Sequence, residues 1–475
     1  MLFNSLEFAI FLPLVFGIYW SIPRDKTLIR NIFLTAASYV FYGWWDWRFL
    51  SLLVLSSSTD FWIARKLDTA TDEPTRKRLL VLSLVFNLGL LGFFKYFNFF
   101  IDSISGAFTL FGHPLDFPVL NIVLPVGISF YTFQSLSYTL DVYRKKLHSV
   151  PNIWHFLAFV SFFPQLVAGP IERASRLLPQ FASEKTLRYD HLRMGLIYMA
   201  IGFFKKMVIA DRLAIYVDNG FSRVDNMQGV SAWITVFFFA LQLYFDFSAY
   251  SNIAMGLSKL LGFELMVNFN RPYLAHSFTE FWKRWHISLS SWFKDYLYIP
   301  LGGNRNGRVQ TIRNILLVFL LSGLWHGASW NFVIWGALNG LFLLLLDPIL
   351  LRLPANGIPG MLRRITVFGA WGLSLVFFRA PNLSDALTIF GNLVHFDLPP
   401  DPSFFNSQLL LIGSLLLLVF ALEWMEEKGE SVKIRLVALP TGFRWSLYVL
   451  LVLGILLLGA YGLDLNDSRF IYFQF

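Results

Sequence analysis

Leu409-Leu-Leu-Ile-Gly-Ser-Leu-Leu-Leu-Leu-Val-Phe-Ala-Leu422 carries no charge and shows no alternation of apolar with polar positions. A strand with one wet face alternates with period two, and the strands of a transmembrane barrel alternate over segments of about 10 residues. A helix in hydrocarbon needs neither pattern, because it satisfies its own backbone and can be apolar all round. Leu447 to Leu463 reads the same way. These stretches predict transmembrane helices, and with them an all-α, polytopic integral membrane protein.

The rest of the chain agrees. Of 475 residues, 56% are hydrophobic and 15% charged, against about 25% charged in ordinary soluble domains, and the mean hydropathy is +0.56. Apolar spans are expected near 6–22, 31–47, 49–64, 79–101, 119–140, 153–169, 192–217, 231–261, 311–328, 330–347, 363–378, 407–424 and 443–463. Each approaches the roughly 20 residues that a bilayer crossing takes. About ten to thirteen helices should cross or enter the membrane, and 119–140, with Pro125 and Gly127, could be broken or re-entrant. No repeat, low-complexity tract or linker divides the chain, so residues 1–475 read as a single membrane domain.

Charge and cysteine exclude several classes. The net charge of +9 in so apolar a chain fits basic cytoplasmic loops better than nucleic-acid binding. The clusters Arg65 to Arg78, Arg144 to Lys146 and Lys205 to Arg212 each adjoin an apolar span and are expected in such loops. With no cysteine, disulfides, thiol nucleophiles and Cys-based metal sites are excluded. The first span contains Glu7, has no basic residue before it and no small-residue cleavage site after it, so it does not read as a cleaved signal peptide. Arg24, Lys26 and Arg30 come directly after it and place the N-terminus outside.

His326 stands out among eight histidines. It lies in Leu321-Ser-Gly-Leu-Trp-His-Gly-Ala-Ser-Trp330, between strongly apolar stretches, where an ionisable side chain is costly and marks a functional site by default. Imidazole moves protons at neutral pH, although a neutral ring bonded between helices would serve packing alone. Gly323 and Gly327, like Gly336 and Gly340, are four apart, which lets backbones approach closely or leaves a narrow channel.

The longest polar interruption runs from Glu264 to Arg313, with a formal charge of +4 and Trp282, Trp285, Trp292, Tyr296 and Tyr298 interleaved. It reads as an amphipathic helix lying at an interface or dipping in from it. Within it, Phe281-Trp-Lys-Arg-Trp-His-Ile-Ser-Leu-Ser290 puts His286 on a helical stripe with Trp282, Leu289 and Phe293. Lys283, Arg284, Trp285 and Lys294 are candidates to hold a phosphate-bearing donor, since cations suit an anionic ligand. Asp246, Gln134 and Trp325 are candidate cavity-lining groups; Asp246 could instead pair with a basic side chain, and Asp246 and Gln134 could be structural. The two histidines lack metal-binding spacing, and no nucleophile elbow, phosphate loop or dinucleotide fingerprint occurs.

The chain resembles the membrane-bound O-acyltransferase (MBOAT) superfamily, within it the bacterial branch of alginate O-acetylation and teichoic-acid D-alanylation proteins, and more the former. The resemblance rests on Met1-Leu-Phe-Asn-Ser5, Leu124-Pro-Val-Gly-Ile-Ser-Phe-Tyr131, Ala168-Gly-Pro-Ile171, Tyr244-Phe-Asp-Phe-Ser-Ala-Tyr-Ser251 and Phe281 to His286. It continues through Asp295-Tyr-Leu-Tyr-Ile-Pro-Leu-Gly-Gly303, Trp325-His-Gly-Ala-Ser-Trp330, Phe377-Phe-Arg-Ala380 and Phe470-Ile-Tyr-Phe-Gln-Phe475. It implies a ring of tilted helices around a central funnel, with His326 as the essential histidine and His286 at the upstream family position. It also implies an inner (cytoplasmic) membrane location and polysaccharide O-acetylation as in alginate biosynthesis, without a bound cofactor or metal. Acetyl-CoA is the implied donor, a periplasmic SGNH-like acetyltransferase the partner, and an exopolysaccharide or cell-wall glycan the acceptor. From the residues alone a proton-coupled transporter or flippase, with His326 and Asp246 as a relay, stays open.

Overall fold

A computed structural model describes residues 1–113, 120–227, 229–396, 406–429, 432–461 and 470–471; the Tyr472-to-Phe475 part of the closing motif lies outside them. Among the described residues there are helices and no strand. In chain order they are α1 (Leu6–Ser21), α2 (Thr27–Asp46), α3 (Leu50–Thr69), α4 (Glu73–Leu91), α5 (Phe97–Leu110), α6 (Ile128–Tyr143) and α7 (Ile153–Ser161). Next come α8 (Ala174–Ala182), α9 (Tyr189–Phe203), α10 (Asp211–Phe221), α11 (Gly229–Leu260), α12 (Phe278–Arg284), α13 (Ile287–Phe293) and α14 (Arg308–His326). The last are α15 (Trp330–Leu341), α16 (Asp347–Leu350), α17 (Gly357–Arg379), α18 (Leu383–Asn392), α19 (Ser407–Glu427), α20 (Val432–Ala438) and α21 (Thr441–Leu458).

Seven stretches among the described residues are long and apolar enough to cross a membrane: Glu73–Leu110, Gly229–Leu260, Arg308–His326, Trp330–Leu350, Gly357–Arg379, Ser407–Glu427 and Thr441–Leu458. Leu409 to Leu422 forms the body of α19, a single continuous helix. On α21 no residue is buried, and Leu450, Leu456 and Leu457 point outward. Water would not tolerate so large an apolar surface, whereas lipid is as apolar as leucine. The protein is a multi-pass membrane protein.

The chain forms two compact units, Met1–Ile197 with Ala254–Met266, and Tyr198–Ile253 with Val267–Phe475. In the first, α3 packs on α4 and α6, and α2 on α7. Asp72 caps α4 by accepting the Thr75 N–H at 2.8 Å, one of the four donors a helix start leaves orphaned. A hydroxyl and amide cluster ties three helices. The Asp60 carboxylate accepts from Ser83 at 2.5 Å, from Asn87 at 2.9 Å, and from Ser135. Arg76 is buried and donates to the Tyr143 carbonyl at 2.6 Å and to the Leu67 carbonyl, so it serves helix C-termini rather than a solvated loop.

One of the expected spans comes out shorter than expected, and another is interrupted as expected. The helix of 153–169 stops at Ser161, because Pro164, Gly169 and Pro170 cannot sustain it, and Phe162 to Pro170 continue as buried non-helical chain. The segment 119–140 is interrupted where the sequence suggested, with Gly127 at φ 77° just before α6. That left-handed conformation suits glycine, and a Cβ there would lie 3.0 Å from the Leu166 carbonyl oxygen.

The second unit is built on aromatic rings. Trp285, Trp335 and Trp371 are its largest fully buried side chains. Trp371 touches Phe281 at 4.6 Å and Trp285 at 4.9 Å between centroids. Such clusters bury 150–250 Å² per ring and hold fixed geometries.

Candidate active site

His326 is the last residue of α14, and its position depends on how α14 meets α15. A Cβ on Gly323 would fall 2.1 Å from the Phe332 carbonyl oxygen, and one on Gly336 would fall 2.3 Å from that of Phe319. Only glycine permits this approach. Gly327 then turns the chain, and any Cβ there would strike the Phe332 ring at 2.0 Å. Asn331 fastens the start of α15 by donating to the Ala380 carbonyl at 2.9 Å.

The crossing leaves His326 only 6% exposed. Its ring lies 5.0 Å from Trp325, 5.1 Å from Trp335 and 5.3 Å from Phe378, all edge to face. Aromatic walls of this kind keep water away, and charge changes inside them are felt strongly.

His286 reaches the same enclosure by a different route. The continuous helical stripe expected from sequence does not form: α12 ends at Arg284, Trp285 is extended, and His286 takes φ 41°, ψ 53° before α13 begins. Phe281, Trp285, Leu289 and Trp292 of this segment are all buried, while Lys283 and Lys294 are exposed. Burying Trp285 against Trp371 requires the break, because one straight helix cannot point Trp285 and His286 as they stand. The His286 ring meets Phe247 at 4.7 Å, Trp325 at 5.9 Å and His326 at 6.3 Å. Two imidazoles from distant stretches of sequence thus share one aromatic cluster.

The residues expected to bind the donor divide. Lys283 and Lys294 are exposed. Arg284, with a side chain 15% exposed, donates to Glu280 at 2.5 Å and to both oxygens of Glu427 at 2.7 and 2.9 Å. Glu427 also receives Arg271 at 3.0 Å. The guanidinium of Arg284 is therefore balanced by carboxylates within the protein, and Trp285 is core.

Asp246 is paired rather than open. Lys206 reaches it at 2.7 Å and Asp211 at 2.8 Å, and the Ile471 N–H donates to its other oxygen at 2.6 Å. Lys206 is 2% exposed, so the Lys205 to Arg212 cluster is not a cytoplasmic loop. It continues α9 into α10 through a π-helical stretch, Phe204–Ala210, and the ion pairs outweigh the loop preference of lysine. Gln134 belongs to the first unit and donates to the Phe159 carbonyl at 2.8 Å. Among the described residues no three His, Asp or Glu side chains converge as a metal-holding group.

Sequence reasoning missed Trp335, Phe378 and Phe247, whose rings pack against the two imidazoles. Phe378 and Phe247 lie in the motifs that carry the resemblance, but nothing in a run of aromatics tells which rings adjoin a distant histidine.

The profile of the MBOAT, membrane-bound O-acyltransferase family matches residues 46–384. A probable alginate O-acetylase of Azotobacter vinelandii is 43% identical over 401 residues, covering 83% of this chain and 78% of its own length. A peptidoglycan O-acetyltransferase of Helicobacter pylori is 38% identical over 425 residues, with 83% and 80% covered. A teichoic acid D-alanyltransferase of Bacillus subtilis is 28% identical over 243 residues, or 49% of this chain and 62% of that protein.

Proposed function

The chain belongs to the membrane-bound O-acyltransferase family and is an O-acyltransferase, and on that premise we propose that it moves acetyl from cytoplasmic acetyl-CoA toward an exported glycan. The acceptor is an exopolysaccharide or cell-wall polymer, reached through a periplasmic SGNH-like acetyltransferase. The host membrane is the bacterial inner membrane, with the N-terminus outside, and the whole chain acts as one domain. Relatives named for alginate, peptidoglycan and teichoic acid all modify glycans or envelope polymers by acyl transfer, which supports an acceptor of that class.

The observation that carries the reading is the pair of imidazoles 6.3 Å apart inside aromatic walls. His326 takes the proton of the receiving hydroxyl, which the partner transferase supplies on the way to the polymer, as that oxygen attacks the thioester carbonyl. The carbon–sulfur bond breaks, and the departing thiolate recovers the proton from the imidazolium. General-base help of this kind contributes about 10² to 10⁴-fold. His286 orients the thioester and donates toward the carbonyl oxygen as charge develops there. Lys283 and Lys294, exposed and basic, attract the donor's phosphates.

The test tracks labelled acetyl from acetyl-CoA into envelope fractions of cells with the native chain, with His326→Ala and without the gene. Label should enter the glycan fraction only with the native chain, while the variant stays in the membrane at native level. Full labelling by a well-expressed His326→Ala chain, or label that enters without the gene, would remove the assignment.

A further inference from the structure

Asn268 is fully buried, at 0% exposure, and plays no part in the chemistry above, yet it bonds the two residues that directly follow His286. The chain around residues 268–270 runs beside 284–288. The Asn270 N–H donates to the Arg284 carbonyl at 2.9 Å, and the Ile287 N–H donates to the Asn268 carbonyl at 2.9 Å. Trp285 and His286 are held between these two bonds.

His286 holds its position with a left-handed backbone. A residue with a Cβ loses roughly 1–2 kcal/mol there, and such strain persists only where the surroundings over-determine it. Asn268 supplies the determination. Its Oδ1 accepts the Ser288 N–H at 3.2 Å and the Ser288 hydroxyl at 2.9 Å, and its Nδ2 donates to the Ser251 hydroxyl of α11 at 3.4 Å.

The start of α13 has donors that need acceptors, and the residue at its cap position, His286, provides no side-chain cap. Asn268 does that capping from another part of the chain. The imidazole, with no capping duty toward its own helix, is turned toward Phe247, Trp325 and His326. Phe269, the next residue, stacks along the same ring at 6.4 Å.

We propose that Asn268 is a positioning residue of the acyl-transfer site: by clamping 286–288 it sets the distance and angle between the His286 and His326 rings. The inference rests on the reading that His286 acts on the donor thioester. Displacement of a reacting group by about 1 Å can cost about 10²-fold in rate.

The experiment uses membrane vesicles carrying the full chain, with labelled acetyl-CoA as the probe and label in the glycan fraction as the readout. Apparent kcat and KM are expressed per molecule of folded chain, counted as monodisperse protein after extraction. Asn268→Ala should lower kcat about 10- to 100-fold with KM for acetyl-CoA changed less than threefold. Asn268→Asp, which retains the acceptor oxygen, should recover most of that loss, and Asn268→Leu should not. A loss that vanishes on correction for folded protein, or equal activity of the Asp and Leu variants, would reduce Asn268 to a structural residue and overturn the proposal. So would native kcat in Asn268→Ala beside an inactive His286→Ala. Native activity in His286→Ala would instead overturn the reading of the site, and the inference with it.

Discussion

The imidazole rings of His286 and His326 face each other at 6.3 Å with their planes inclined by 53°. One closes a helix that crosses its neighbour on glycine, and the other sits in a strained break between two short helices. The Trp325 ring lies between them, 5.9 Å from His286 and 5.0 Å from His326.

Two groups that act on one reacting centre should not contribute independently, because the second has little to stabilise once the first is gone. His326→Ala and His286→Ala are each expected to lower transfer at least 10²-fold. The double variant should fall no more than about tenfold below the weaker single variant. Rates of acetyl incorporation for the four chains measure this, and fully multiplicative losses would argue for separate roles.

The α14–α15 crossing makes a stability prediction. Gly323→Ala and Gly336→Ala put a methyl 2.1 and 2.3 Å, respectively, from a backbone carbonyl oxygen, far inside van der Waals contact, so the helices must separate at a cost of roughly 1–3 kcal/mol or more. Gly413→Ala meets nothing within 4 Å and should be neutral or gain up to about 1 kcal/mol. Thermal unfolding in detergent distinguishes the two classes, and the crossing variants should lose activity in parallel.

The basic residues around His286 should separate by role. The Lys283→Ala, Lys294→Ala double variant is expected to raise KM for acetyl-CoA about three- to tenfold with little change in kcat, as for loss of uniform binding. Arg284→Ala should act instead through stability, by leaving Glu427 and Glu280 short of a partner. Unfolding midpoints and donor titrations of both variants make the comparison.

Lys206 sits between two buried carboxylates. Lys206→Met leaves Asp211 and Asp246 facing each other without a cation, and breaking such a pair costs roughly 3–5 kcal/mol. Little folded protein should be recovered by fluorescence-detected size exclusion. Adding Asp246→Asn to Lys206→Met should restore part of it, since one uncompensated charge is removed.

The sequence by itself determined that Leu409 to Leu422 is a membrane helix, because charge-free runs without alternation have only one way to satisfy their backbone in lipid. It also marked His326, because an imidazole among apolar residues is costly enough to need a reason, and the surrounding motifs carried the family. Tertiary structure alone decided that His286 stands beside it. The 40-residue separation holds no periodic signal, and the break at Trp285 comes from burying that indole against Trp371, a partner far along the chain. Arg284 looked free for a donor until Glu427 was found on it, and for Asp246 the sequence left both lining a cavity and pairing with a basic side chain open until Lys206 was found beside it. Charge pairing between distant segments leaves no trace in local pattern, and that is why the walls, the clamp at Asn268 and the paired charges became visible only in three dimensions.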